Sequence, residues 1–108
     1  MTILAVEKWV AKPEKQKEHT QIMQKFRKFI KDNPAKFKEV KSIKEFTQMF
    51  GDISGMHIWL VEYDSLADYE RLNARMNKDK GAAKLNQEWL ELIDPTTVSV
   101  DIWSTTTK

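Results

Sequence analysis

The chain has 108 residues and a formal net charge of only +2, so it suits one domain with an adequate core and gives little reason to expect nucleic-acid binding, which usually needs a basic stripe. It contains no cysteine, which excludes disulfides and thiolate metal sites. No apolar run near the N-terminus is long enough for a signal peptide or a membrane span. We therefore expect a single domain, residues 1–108, located in the cytoplasm without membrane contact.

The start of the chain predicts a strand followed by a helix. Residues 3–10 alternate, so that one face carries Ile3, Ala5, Glu7 and Trp9 and the other carries Leu4, Val6, Lys8 and Val10. Pro13 suits the first position of a helix, because its missing N–H would have no partner there. From residue 13 to 31 the apolar side chains fall three or four apart, which predicts one helix, and Asn33-Pro34 predicts its end.

The middle of the chain predicts a hairpin. Residues 37–50 fit a helix period as well as a strand broken by a bulge, but the β-branched residues Val40, Ile43 and Thr47 favour the strand. Gly51-Asp52 then predicts a turn into a strand over residues 56–63. Both faces of that strand are largely apolar: one carries His57, Trp59, Val61 and Tyr63, and the other carries Met56, Ile58, Leu60 and Glu62.

The last third predicts two helical segments and a closing strand. Ser65 offers a hydroxyl as N-cap for a helix to about residue 77, with Asp68 completing a variant of the capping box. Asp79 can cap a second helical segment, which we expect to end at Asp94-Pro95. Residues 97–105 predict the closing strand, with Val98, Val100 and Ile102 on one face and Ser99, Asp101 and Trp103 on the other.

The predicted order of elements is β-α-β-β-α-β. This is the ferredoxin-like α+β arrangement, a four-stranded antiparallel sheet with its helices on one face. One layer of helices covers one face of the sheet, whereas the strand over residues 56–63 is apolar on both. We therefore expect a homodimer in which the uncovered sheet faces meet.

Several short motifs place the sequence near a known superfamily. They are the aromatic Trp9 before Lys12-Pro13, the pair Phe50-Gly51, VEYDSLADYE at 61–70, WLEL at 89–92 and the closing Ile102-Trp103. With these motifs the chain resembles the dimeric α/β-barrel superfamily, and within it the small NIPSNAP-like and antibiotic-biosynthesis-monooxygenase-like proteins. The resemblance implies a dimeric α/β barrel with a small-molecule pocket between each sheet and its helices.

The resemblance also assigns the faces of the strand over residues 56–63. The face with His57, Trp59, Val61 and Tyr63 would line the pocket, and the face with Met56, Ile58, Leu60 and Glu62 would meet the second subunit. Haem-degrading members pair a strand aromatic with a helix histidine and a first-strand asparagine. Here Tyr63 stands where a tryptophan is expected, residues 75–88 contain no histidine, and the first strand contains no asparagine. The sequence therefore argues against that subgroup, and we assign no cofactor.

A small set of residues could carry chemistry or bind a ligand. The candidate catalytic residues are His57, which can act as general acid or base near neutral pH, and Tyr63. The candidate ligand contacts are Trp9, Trp59, Tyr69 and His19. Each has a plainer interpretation, as a histidine satisfied by backbone or water or as an aromatic residue of the core. Two histidines without clustered carboxylates make a poor metal site, so no metal is assigned.

Charged residues within the predicted strands need a separate interpretation. Glu7 and Glu62 lie in apolar strands, and either could be a buried acid with a raised pKa that serves as a base. We favour instead an ion pair with a lysine of a neighbouring strand or of the second subunit. The lysines at 36, 38, 41 and 44 are interpreted as a solvated strand face rather than a phosphate track.

Two functions stay open at this point. We expect a homodimer that binds a small hydrophobic or aromatic molecule without catalysing a reaction. The alternative is a cofactor-independent monooxygenase-like or isomerase-like enzyme that acts on a small aromatic substrate. A space between helices and sheet that is filled by side chains favours the non-catalytic dimer, whereas an open apolar cavity at His57 or Tyr63 favours the enzyme.

Overall fold

The computed structural model describes residues 2–106, which contain four strands and three helices. The strands are β1 (Ile3–Ala11), β2 (Ser42–Thr47), β3 (His57–Tyr63) and β4 (Ile93–Ser104). The helices are α1 (Gln16–Asp32), α2 (Leu66–Lys78) and α3 (Lys80–Leu90), and short 3-10 helices occupy Pro13–Lys15 and Pro34–Phe37. None of the helices within residues 2–106 is long and apolar enough to cross a membrane.

The strands form one antiparallel sheet in the order β2-β3-β1-β4. At the middle of β1, Glu7 lies opposite Trp59 of β3 and Val100 of β4. The topology is the ferredoxin-like fold that the sequence predicts. The two helical segments predicted between the third and fourth strands are α2 and α3, which meet at Asp79.

Two side-chain caps place helix starts where the sequence predicts them. The Ser65 hydroxyl accepts a hydrogen bond from the Asp68 N–H at 3.1 Å, and the Asp79 carboxylate accepts one from the Ala82 N–H at 2.9 Å. Each bond satisfies an N–H that has no partner within its own helix. Both predicted caps are confirmed.

Two boundaries differ from the prediction. Helix α3 ends at Leu90 rather than at Asp94-Pro95, and β4 begins at Ile93. Because β4 is an edge strand, a proline without an N–H is tolerated inside it. Between residues 37 and 50 the strand interpretation is confirmed, but β2 covers only Ser42–Thr47.

All three helices pack on one side of the sheet, which we call the helix face. Two clusters of buried residues form there. The first contains Ile3, Ala5, Val61 and Tyr63 with Leu72 of α2, and the second contains Trp9 and Ile93 with Ile22 and Met23 of α1. Residues that lie opposite each other in the ladder share a face, so Glu7, Trp59 and His57 also belong to the helix face. The predicted face of Trp59 and His57 is confirmed.

The opposite side of the sheet, which we call the outer face, is uncovered within the described chain. Its apolar side chains come from all four strands and are Leu4, Phe46, Ile58, Leu60 and Trp103, together with Val6, which is itself buried at 1% exposure. Phe46 and Trp103 each remain 49% exposed. The second apolar face that the sequence predicts is therefore present.

Candidate functional site

An open cavity of about 470 Å³, here called the main cavity, lies between the helix face and the helices. Its volume falls within the range of small-molecule pockets, roughly 300 to 1,000 Å³. Most of its wall is apolar or aromatic, formed by Trp9, Met23, Phe26, Phe29, Ile30, Phe37, Val40, Ile43, Trp59, Val61, Leu72, Met76, Ala82, Ala83, Trp89 and Leu90. The space between helices and sheet is thus not filled by side chains.

Among the described residues, Glu7 is the one carboxylate in the wall of the main cavity. It stands on the central strand β1, opposite Trp59, and is only partly exposed. Burial is the cause that raises the pKa of Glu7, and within residues 2–106 no cation or hydrogen-bond donor pairs with its carboxylate. The lysine ion pair favoured from the sequence is therefore absent from this part of the chain.

Tyr63 contributes the other ionisable group of the main cavity. Its side chain is 3% exposed and packs edge-on against Tyr69, with the ring centroids 5.5 Å apart. Burial, followed by the charge of Glu7, raises the pKa of Tyr63 further above neutrality. The phenol therefore keeps its proton, and it lies close enough to Glu7 for the two groups to interact electrostatically.

Four side-chain amides line the entrance of the main cavity between α2 and α3. Asn73 and Asn77 lie one turn apart on α2, and Asn86 and Gln87 lie on α3. All four are exposed. Because an amide both donates and accepts hydrogen bonds without carrying charge, the entrance can contact a polar group of either kind.

Two ion pairs connect the elements around this entrance. Arg75 donates two hydrogen bonds of 2.7 Å to the Glu39 carboxylate and one of 2.8 Å to the carbonyl oxygen of Lys36. The hydrogen bonds from Arg75 lower the pKa of Glu39 to about 2. Lys36, which lies in a 3-10 helix rather than on a strand face, pairs with Asp79 at 2.6 Å. These bonds tie Pro34–Phe37 to α2 and to the start of α3.

A second cavity of about 240 Å³ contains both histidines. The ring centroids of His19 and His57 are 4.3 Å apart, and His57 stacks on Trp9 with a centroid distance of 5.8 Å. The ion pair between Arg27 and Glu45, with a shortest distance of 2.6 Å, also lines this space. The histidines therefore face a smaller and more polar cavity than the main one.

His19 accepts a buried hydrogen bond from the indole of Trp9. The distance from Trp9 Nε1 to His19 Nε2 is 2.8 Å, which requires a neutral imidazole with its proton on Nδ1. Burial, followed by the neighbouring His57, lowers the pKa of His19 to about 4. Burial also lowers the pKa of His57. Within residues 2–106, no group of three or more His, Asp or Glu side chains is placed to hold a metal ion.

The residues singled out from the sequence are divided between the two cavities. Trp9 and Trp59 line both, Tyr63 lines the main cavity, His19 and His57 line the second cavity, and Tyr69 packs behind Tyr63. His57 and Tyr63 stand at opposite ends of β3, about 20 Å apart along the strand. The structure does not bring them into one site, and their catalytic roles stay predictions.

Two features of the main cavity differ from the sequence prediction. Glu7 is predicted as half of an ion pair, although an acid between Ala5 and Trp9 on an apolar strand face is itself a signal for a site. The four amides at the entrance are absent from the predicted site. Asn73 and Asn77, spaced by one turn and adjacent to buried Leu72, carry a weaker signal of the same kind.

The fold and the main cavity define a class: a small ferredoxin-like α+β protein with a ligand-sized space between its sheet and its helices. No protein-family model matches the sequence, and no curated protein is similar to it in sequence. The similarity lies in the structure.

Solved structures of proteins with the ferredoxin-like fold match nearly the whole chain. A NIPSNAP family protein from Agrobacterium tumefaciens matches with a TM-score of 0.78 and 16% identity, covering 98% of this chain and 94% of that one. A dimeric protein of unknown function with a ferredoxin-like fold, from Bacteroides fragilis, matches at 0.67 and 13% identity over 96% of both chains. A candidate antibiotic biosynthesis monooxygenase from Caulobacter crescentus matches at 0.71 and 10% identity over 98% and 91%. The expected structural resemblance is confirmed, and at these identities it concerns the fold.

Proposed function

We propose that the protein is a homodimer that binds a small, largely apolar molecule with an aromatic ring in the main cavity. The observation that carries this proposal is an open space of about 470 Å³ whose wall combines many aromatic rings with Glu7 and Tyr63. Ligand pockets typically have this composition, an apolar wall with a few polar groups that orient the ligand.

The aromatic part of the wall supports a flat ligand. Trp9 meets Trp59 and Trp89 edge-on, with ring centroids 6.1 and 5.3 Å apart, and Phe26 meets Trp59 in the same way at 6.1 Å. Because these rings hold one another in place, little side-chain ordering is needed when a ligand binds. An exposed ring face in the cavity can stack with an aromatic ligand in the offset arrangement.

The first test is a titration with naphthol and naphthoquinone, followed by Trp fluorescence and by NMR of methyl groups. We expect shifts for the methyl groups of Val61 and Leu72, which line the main cavity, and none for Leu4 and Leu60 on the outer face. Val61 and Leu60 are neighbours on opposite faces of β3, so they form an internal control. Shifts confined to the outer face, or no binding of either probe, would contradict the proposal.

A pair of variants tests the location. Ala83 lines the main cavity and Lys84 does not, although both are exposed residues of α3. Ala83→Trp is expected to fill part of the space and weaken binding of naphthol, whereas Lys84→Trp is expected to leave it unchanged. Equal affinities for the two variants would place the ligand elsewhere.

The homodimer is supported by the uncovered outer face. Large apolar side chains lie there without cover, including Phe46 and Trp103, each about half exposed, and contiguous patches of this kind mark interaction surfaces. The similar protein from Bacteroides fragilis is dimeric. Sedimentation at micromolar concentration is expected to give a dimer, and a stable monomer would refute this part of the proposal.

An enzyme with acid–base chemistry is the second candidate, because an open cavity at Tyr63 is the feature that favours an enzyme over a dimer that only binds. Glu7 faces the same cavity without an ion-pair partner within residues 2–106. Reactions of the isomerase type and of the cofactor-independent monooxygenase type can both begin when a base removes a proton from the substrate. A carboxylate whose pKa is raised by burial suits that task, and the neutral Tyr63 can donate a hydrogen bond to the oxygen on which negative charge develops.

Proton exchange distinguishes the enzyme from the binding protein. Tetralone, a bicyclic ketone with acidic C–H bonds, is incubated with the protein in heavy water, and deuterium uptake is followed by NMR. The enzyme would accelerate uptake above the buffer rate, and Glu7→Gln would remove the acceleration. Binding of tetralone without acceleration would favour the binding protein.

A further inference from the structure

The described side chains that line the main cavity can carry negative charge but no positive charge. Glu7 lines it, and none of the other lining side chains, all of which belong to the described residues, is Lys, Arg or His. An ionised carboxylate in apolar surroundings is costly unless it is neutralised, and burial raises the pKa of Glu7 accordingly. Burial therefore disfavours the charged form of Glu7, and a positively charged group in the cavity would compensate that charge.

We infer that the main cavity selects an organic cation, namely an arylalkylamine ligand whose ammonium group pairs with the Glu7 carboxylate. This inference rests on the proposed function, because it names the chemical class of the ligand that the same cavity binds.

The surroundings of Glu7 suit an ammonium group. Trp59 lies directly opposite Glu7 in the ladder, and Trp9 lies two positions further along β1 on the same face. The faces of indole rings attract cations, most strongly where water is excluded. A cation at Glu7 thus has a charge partner and aromatic neighbours.

The same arrangement disfavours other ligands. A carboxylate or phosphate ligand would bring a second negative charge beside Glu7, with no cationic side chain in the wall to offset it. A neutral alcohol can donate a hydrogen bond to Glu7, but it leaves the charge of the carboxylate uncompensated. The expected order of affinity is therefore amine, then alcohol, then carboxylate.

Calorimetric titration with three naphthyl compounds of the same shape tests this order at neutral pH. The compounds are naphthylethylamine, naphthylethanol and naphthylacetate. A hydrogen bond to a charged partner is worth more than a neutral one, so we expect the amine to bind about tenfold to a hundredfold more tightly than the alcohol. Naphthylacetate is expected to bind most weakly.

Two glutamate variants locate the selection. Glu7→Gln keeps the shape of the side chain and removes its charge, so the amine and the alcohol should then bind with affinities within about twofold of each other. Glu62→Gln is the matched control, because Glu62 lies on the outer face, where it accepts a hydrogen bond from Ser42 at 2.9 Å. This control is expected to retain the preference of the wild type.

The outcomes separate this inference from the proposed function. If the alcohol or the carboxylate binds as tightly as the amine, the selection is refuted while ligand binding in the main cavity stands. If none of the three binds and naphthol also fails, the proposed function falls and the inference falls with it. Should Glu7→Gln not fold, the wild type decides: titration with the amine must shift the side-chain carboxyl carbon of Glu7 and not that of Glu62, and the reverse result overturns the inference.

Discussion

The buried bond between Trp9 and His19 leads to a prediction about stability. The two side chains are 3% and 2% exposed, and the indole N–H donates to His19 Nε2 at 2.8 Å. His19→Leu removes the acceptor and leaves the indole N–H buried without a partner. A loss of this kind costs about 1–3 kcal/mol of unfolding free energy, whereas the exposed neighbour Lys17, changed to Leu as a control, is expected to alter it by less than about 0.5 kcal/mol.

The burial of His19 predicts a dependence of stability on pH. His19 has a pKa of about 4 in the folded protein, lowered from an ordinary value of 6.5. Between these values the unfolded chain binds more protons than the folded one, so the stabilisation is fully present above pH 6.5 and is lost as the pH falls to 4. The whole shift corresponds to roughly 3 kcal/mol. His57, whose pKa is also lowered by burial, contributes in the same direction.

Urea unfolding, followed by circular dichroism from neutral pH down to the pKa of His19, measures both effects. His19→Gln is the informative variant, because its side-chain oxygen can accept from Trp9 but does not titrate. It should be less sensitive than the wild type to acid between the ordinary pKa of 6.5 and about 4.5, because the two proteins share every carboxylate and differ only at His19. A variant with the same slope as the wild type would refute the neutral, buried state of His19, and a His19→Leu cost equal to that of the Lys17 control would refute the value placed on the bond.

Three further predictions concern the interface, a helix start and the cavity. Leu60→Lys places a charge on the outer face, so it is expected to weaken the proposed dimer by several kcal/mol in sedimentation experiments; unchanged affinity would reverse the assignment of the interface. Ser65→Ala is expected to cost about 1 kcal/mol of unfolding free energy, and a change in melting temperature no larger than that of an exposed control would contradict it. Glu7→Gln is expected to stabilise the unliganded protein at neutral pH. Because the pKa of Glu7 is raised from 4.5, the contribution of the wild-type side chain is full below that value and is lost as the pH rises through the folded pKa. The gain in Glu7→Gln should therefore vanish in acid, and a constant gain at all pH values would point to packing instead.

The features that depend on local pattern could be predicted from the sequence. Alternation placed Glu7 with Trp9 on one face of the first strand and Trp59 with Tyr63 on one face of the third, because successive side chains of a strand point to opposite sides. The helix starting after Ser65 could be predicted because an N-cap forms between residues three positions apart. The end of α3 could not be predicted in this way. Pro95 stops a helix wherever it occurs, but the chain forms strand β4 before Pro95 because β1 is available as a pairing partner.

The candidate site shows most clearly what the sequence determines and what the tertiary structure decides. The sequence by itself determined which residues share a strand face, Glu7 with Trp9 and Trp59 with Tyr63, since the face of each residue follows from its position in a strand. The tertiary structure alone decided that Glu7 and Tyr63 share the main cavity while His57 and His19 share another. The two ends of β3 lie too far apart for one site, and Trp9 and Trp59 stand between the two spaces. Which side chains share a cavity depends on how α1, α2 and α3 pack on the sheet. That packing is set by contacts between residues distant in the chain.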